Sequence, residues 1–148
     1  MESLFPEFVD DYVIPHKKSS GFSRVKNGIP CDSCNIKGSP VPPKVSSASN
    51  PIMIIGLYPG VQEDRAGQMF VGDSGIYLHQ TLLKVGFTQE ELDTLFYETN
   101  IIKCKPTQGV EDGDLEACGQ IVLREIENLN PALIILCGEL PVRYLIGK

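Results

Sequence analysis

The chain has 148 residues, 42% of them hydrophobic, with a net charge of −6. That length suits one domain with a core of its own, since such a chain buries roughly 70% of its unfolded surface. Apolar runs of about five residues fall far short of the ~20 a membrane span needs, and the acidic balance counts against tight DNA binding by the whole surface.

Met1-Glu-Ser-Leu-Phe5 offers neither a basic stretch nor an apolar one, so a signal peptide is not expected and the location read is cytoplasmic. Residues 1–30 show no sustained period and read as an N-terminal extension. Lys17, Lys18, Arg24 and Lys26 gather there, and Lys103 and Lys105 flank a cysteine; these are either a local basic track or solvated lysines. Residues 38–50, rich in Pro and Ser, read as a loop.

From residue 50 the pattern becomes regular. Ile52 to Ile55 form an apolar run closed by Gly56, as in a buried parallel strand. A loop of Gly, Pro and acidic residues follows. A helix is expected from Asp73 and Ser74 to a stop at Gly86, with Ile76, Leu82, Leu83 and Val85 on its buried side. Thr88 and Glu91 have capping-box spacing and open a short helix through Leu95. Phe96 to Ile102 reads as a second strand. A helix over Asp114 to Leu129 carries Leu115, Cys118, Val122 and Ile126 on one face. Leu133 to Leu136 reads as a third buried strand, and a last helix begins near Glu139. This alternation predicts an α/β fold, a parallel central sheet between two helical layers. Ligands of such sheets bind at the carboxyl ends of strands, here after Gly56 and around Asn100. Three strands are few for an open sheet, so either a C-terminal part of the fold is missing or the domain is unusually small.

The five cysteines suggest metal binding rather than disulfides in a reducing compartment. Cys31-Asp-Ser-Cys34 is a C-x-x-C pair, and thirteen residues separate Cys104 from Cys118. Four thiolates suit either zinc or an iron–sulfur cluster. The alternative is that Cys104 and Cys118 are small core residues. Cys137, at the end of an apolar strand, is assigned to the core.

Gly56-Leu-Tyr-Pro-Gly-Val-Gln-Glu-Asp-Arg-Ala-Gly-Gln-Met-Phe-Val-Gly-Asp-Ser-Gly75 resembles the first motif of the family 4, iron–sulfur uracil-DNA glycosylases. Thr99-Asn-Ile-Ile-Lys-Cys-Lys-Pro106 resembles their Thr-Asn-Val-Val-Lys-Cys-Arg-Pro, while Cys118 with Arg124-Glu125 and Cys31-x-x-Cys34 match two further segments. The resemblance covers residues 31–148. It extends to a module of bacteriophage DNA polymerases. It implies one glycosylase-like domain over 1–148 and a [4Fe–4S] cluster on Cys31, Cys34, Cys104 and Cys118, with zinc as the alternative.

The resemblance further implies a partner, uracil-containing or single-stranded DNA, and a base flipped from the stack. Phe70 would stack on the uracil. Asn100 would hydrogen-bond its edge, an amide offering both donor and acceptor. Glu63 would position water near C1′. Gly56 and Tyr58 would line the pocket, and the backbone of Pro59 and Gly60 would approach the DNA. A monomer is expected, with replication proteins as further partners.

Three departures bear on activity. Leu57 replaces the motif's acidic residue, Tyr58 stands at a small-residue position, and the His-Pro-Ser motif near the family's C-terminus has no counterpart. His16 and His79 are the only histidines and read as surface residues. One alternative is therefore a non-catalytic iron–sulfur DNA-binding or scaffold module of a phage replication or repair protein. Another is a metal-stabilised module that binds a nucleotide or protein at the strand ends.

Overall fold

The computed structural model describes Cys31 and residues 34–147. His16, the basic cluster Lys17, Lys18, Arg24 and Lys26, and the 1–30 extension lie outside the described residues, as do Asp32 and Ser33 within the C-x-x-C pair. Three strands form a parallel sheet of order β2-β1-β3, with β1 Ile52–Gly56, β2 Phe96–Asn100 and β3 Leu133–Leu136. Among the described residues five helices accompany them: α1 Val61–Ala66, α2 Asp73–Lys84, α3 Gln89–Thr94, α4 Asp112–Leu129 and α5 Glu139–Leu145.

β1 is central, which explains its unbroken apolar run: both faces must be covered. Met53 and Ile55 pack with Tyr97, Leu115 and Val122 on the side of α4 and α5. Ile54 packs with Phe96, Leu82 and Leu92 on the side of α2 and α3. The fold is thus the expected α/β sandwich of helices on both faces of a parallel sheet. No helix among the described residues is long and apolar enough to cross a membrane.

Several boundaries and faces differ from expectation. α1 lies within the segment read as a loop; its short acidic sequence carries no apolar period. The buried stripe of α2 is Gly75, Leu78 and Leu82, whereas Ile76 and Val85 are 48% and 69% exposed and Leu83 also faces solvent. The stripe spacing of three and four residues leaves the others rotated off the sheet. α2 begins after Gly72 and ends at Lys84. The capping box at Thr88 forms as expected, Glu91 N donating to Thr88 Oγ1 at 3.2 Å and Thr88 N to Glu91 Oε2 at 2.8 Å.

β2 stops at Asn100 rather than Ile102. The chain then turns so that Ile101 N and Ile102 N donate to Gly56 O and Leu57 O, both at 2.9 Å. β3 is not buried: it pairs only with β1 and leaves Leu133 53% and Ile134 36% exposed. Among the described residues no strand covers its other edge.

Lys103 is also not the surface cation expected. It is 2% exposed, and its Nζ donates to Glu125 Oε1 and Oε2 at 3.0 and 2.8 Å and to Thr99 Oγ1. This pair ties the end of β2 to the middle of α4. Removing one partner of a buried pair strands the other charge. Lys103→Met should therefore lower stability by about 3–5 kcal/mol, and Lys103→Met with Glu125→Leu should lose much less, both read from urea unfolding midpoints.

Candidate functional site: a base-sized cavity and a cysteine cavity

β1 and β2 run in parallel register with Gly56 opposite Asn100, so both strands deliver their last residues to one place. A cavity of about 430 Å3 opens there. Gly56, Tyr58, Gly60, Glu63, Phe70 and Asn100 all line it; Pro59 is buried and does not. Of the sequence candidates for the base pocket, six of seven are thus brought together.

The packing explains the glycines. A Cβ on Gly56 would run into Asn100 Oδ1 and come within 3.0 Å of the Phe70 ring. A Cβ on Gly75 would collide with the Phe70 backbone, which takes a positive φ of 54°. A bulky side chain at positive φ is strained, and such strain persists only where neighbours over-determine it. Here the chain must bend back over the start of α2 to lay the ring beside Gly56.

Glu63 is the clasp of this loop. Its Oε2 accepts from Gly60 N at 3.0 Å and its Oε1 from Gly72 N at 2.7 Å, so one carboxylate joins both ends of the 60–72 segment. Asn100 is buried, and among the described residues its Nδ2 donates only to the Met69 thioether at 3.2 Å, a weak acceptor that a carbonyl would outcompete. Leu57 packs against Gly138 at the start of α5 and brings no polar group. Cys137, expected in the core, is only half-buried and lines this cavity, its thiol pushed up by burial.

The second cavity joins the two cysteine pairs. Cys31, Cys34, Cys104 and Cys118 line it with Ile36, Pro40, Ile102 and Ile121. Burial pushes the Cys118 thiol up to about 12, against the nearby Lys103 charge, and raises that of Cys34. Lys103 N donates to Cys118 Sγ at 3.2 Å. Among the described residues, no three His, Cys, Asp or Glu side chains converge tightly enough to hold one ion. The residue that seats the Cys34 loop is Asp114, which sequence reading missed: it accepts from Asn35 N at 2.6 Å and Glu111 N at 3.1 Å. Burial alone would raise its carboxyl, but these bonds outweigh it and hold the group below the usual range. The anchor is therefore complete above ordinary carboxylate pKa values and is lost as pH falls through the depressed one. Its one sequence signal is an acid at the third position of a helix.

Two consequences can be measured. Glu63→Ala leaves the buried Gly72 N–H and the part-buried Gly60 N–H unpaired and should lower stability by roughly 1–3 kcal/mol, with the larger effect in amide exchange at Gly72. Gly75→Ala forces a methyl into backbone and should cost about 1–3 kcal/mol, seen as a lower urea midpoint; an unchanged midpoint would refute the Phe70 packing described above.

Comparison with known proteins agrees with this layout. The family model of the uracil DNA glycosylase superfamily matches residues 43–148. The chain is 30% identical over 117 residues to a type-4 uracil-DNA glycosylase of Archaeoglobus fulgidus, covering 78% of this chain and 56% of that one. For the type-4 enzyme of Saccharolobus solfataricus the figures are 32% over 124 residues, 80% and 55%; for that of Thermotoga maritima, 33% over 100 residues, 66% and 50%. The chain spans about half the length of these curated relatives. The matched region contains both strand ends, Phe70 and Asn100, and by sequence and fold together the chain belongs to the uracil DNA glycosylase superfamily.

Proposed function

We propose that the chain is a uracil-DNA glycosylase-like protein that draws uracil from DNA into the cavity at Gly56 and Asn100 and hydrolyses its N-glycosidic bond. The observation that carries this is the meeting of Phe70 and Asn100 over a side-chain-free Gly56 at the strand ends. The ring supplies a stacking face. The Asn100 amide, held by nothing stronger than a thioether, supplies donor and acceptor to the uracil edge.

In the reaction the C1′–N1 bond breaks, the sugar takes oxocarbenium character, uracil departs as an anion, and water adds at C1′, the proton it loses balancing the one the uracil anion takes up. Asn100 holds the departing base. Each oxygen of Glu63 keeps a second lone pair beyond its backbone bond, enough to orient water and to favour positive charge at the sugar. The backbone of Pro59 and Gly60 would meet the DNA strand.

The four cysteines would hold a [4Fe–4S] cluster. The donor set is all thiolate, which suits such a cluster and also suits zinc, the alternative occupant. When bound, the cluster would supply a covalent cross-link between the Cys31 to Cys34 loop, the end of β2 and α4, a structural role.

A second reading has its own support. Among the described residues no histidine lines the cavity, Leu57 stands where the related motif has an acid, and Glu63 is tied at both oxygens. A non-catalytic DNA-binding module would look the same. Release of uracil from a single-stranded uracil oligonucleotide decides between them. Activity is expected in the cluster-loaded protein, and Asn100→Ala should reduce it by about 10²–10³-fold. No release, with single-strand binding intact, would establish the second reading. Cys104→Ser should abolish the broad visible absorbance of the purified protein; a colourless wild-type protein containing zinc would overturn the cluster.

A further inference from the structure

The lining of the base cavity divides by burial. Gly56, Gly72, Gly75 and Asn100 are buried and form its floor, while Tyr58, Val61, Gln62, Asp73 and Ser74 are exposed and form its rim. Among the described residues Tyr58 is the one aromatic side chain on that rim, and it is 43% exposed. Val61, 49% exposed, extends the apolar surface beside it.

The backbone that carries this ring has little freedom. Leu57 O accepts from Ile102 N at 2.9 Å just before it, and Gly60 N donates to Glu63 Oε2 at 3.0 Å just after it. The buried Pro59 between them keeps Tyr58 itself out of helical conformations. A large flat side chain is thus offered to solvent from a fixed mount, and a partner that covers it meets little cost of ordering.

The charges of the cavity narrow what that partner gains there. Glu63 and Asp73 line it, and among the described residues no lysine or arginine does. Phosphate neutralisation, the usual source of affinity for nucleic acid, is therefore not supplied at this rim, and stacking is the contribution left. Beyond Phe70 a separate space of about 640 Å3 is lined by Lys44 and His79, but both are engaged by the buried Glu98, at 3.3 and 2.7 Å, and neither lines the base cavity. His79 is therefore not the plain surface histidine expected.

A base drawn into the cavity brings its strand neighbours to the rim, because one sugar-phosphate unit separates them. In a duplex those neighbours stay paired and stacked; in a single strand their faces can be uncovered. We propose that the Tyr58 ring stacks on the base adjacent to the one in the cavity, so that the DNA received is single-stranded. The inference rests on the proposed uracil-binding role of the cavity and adds to it the residue that selects the form of the strand.

The test uses the full chain and a short single strand whose central deoxyuridine carries a 2′-fluorine. The fluorine disfavours the positive sugar that cleavage requires, so binding is read whether or not the protein is active. Fluorescence anisotropy should show Tyr58→Ala weakening binding by roughly 5- to 150-fold. Tyr58→Phe should bind close to wild type, since stacking needs the ring and not the hydroxyl. Wild-type protein should lose a similar factor when the bases flanking the uracil are replaced by abasic residues, and on that strand Tyr58→Ala should cost nothing more. In a fully paired duplex the substitution should have little effect. No loss on Tyr58→Ala, or a loss that persists with abasic flanks, would overturn the proposal. A central thymine bound as tightly as uracil would instead sink the uracil role of the cavity, with the Tyr58 comparison still decided on the thymine strand. Failure to bind any strand would overturn both.

Discussion

One buried ammonium, that of Lys103, holds the two functional regions in a fixed relation. Its Nζ is enclosed by Glu125 of α4 and Thr99 of β2, and its backbone N–H rests on the sulfur of Cys118. Thr99 immediately precedes Asn100, and Cys104 immediately follows Lys103. Six consecutive residues therefore serve the base cavity at one end and the cysteine cavity at the other. A hydrophobic residue at position 103 would fill the space, but it would not fix where the chain after β2 lies relative to α4. A buried pair is often no more stabilising than packed apolar residues of the same volume, but this one joins β2 to α4 at a single point, and orientation is what a site assembled from two strand ends and a helix requires.

The base cavity follows from the same geometry. Parallel register brings Gly56 and Asn100 level, and the return of Ile101 and Ile102 onto Gly56 and Leu57 keeps them so. The Glu63 clasp then fixes the 60–72 segment, from which Phe70 reaches back over the strand end. Donors and acceptors in this cavity come mostly from neutral groups and backbone. That suits recognition of an uncharged base, and it fits the type-4 uracil-DNA glycosylases as the relatives of this chain.

Much of this was legible in the residues themselves. β1 announced itself because a central parallel strand must be apolar on both faces, and the Thr88 to Glu91 box because its spacing is a local rule. The motif residues Gly56, Phe70, Asn100 and the four cysteines were found because they sit at strand ends or in a recognisable order. What escaped were features set by distant partners. Lys103 and Glu98 look like surface charges until Glu125, His79 and Lys44 are placed beside them. β3 has the composition of an interior strand, and its exposure depends on sheet order, which composition does not encode. The buried stripe of α2 was misassigned because Gly75 carries no hydrophobic signal, yet it lies under the Phe70 backbone. Each charged exception interrupts an apolar stretch, at Glu98 after Phe96-Tyr97 and at Lys103 after Ile101-Ile102, and that interruption was the available clue.

Phe70 has two faces and a backbone with little freedom to yield. Its neighbours on one side are Gly56 and Asn100; on the other lies the space bounded by Lys44 and His79. A molecule pressing on either side meets the same rigid partition. Were both compartments filled, whatever change one occupant made in the other's affinity would be returned by the same factor, as thermodynamic linkage demands.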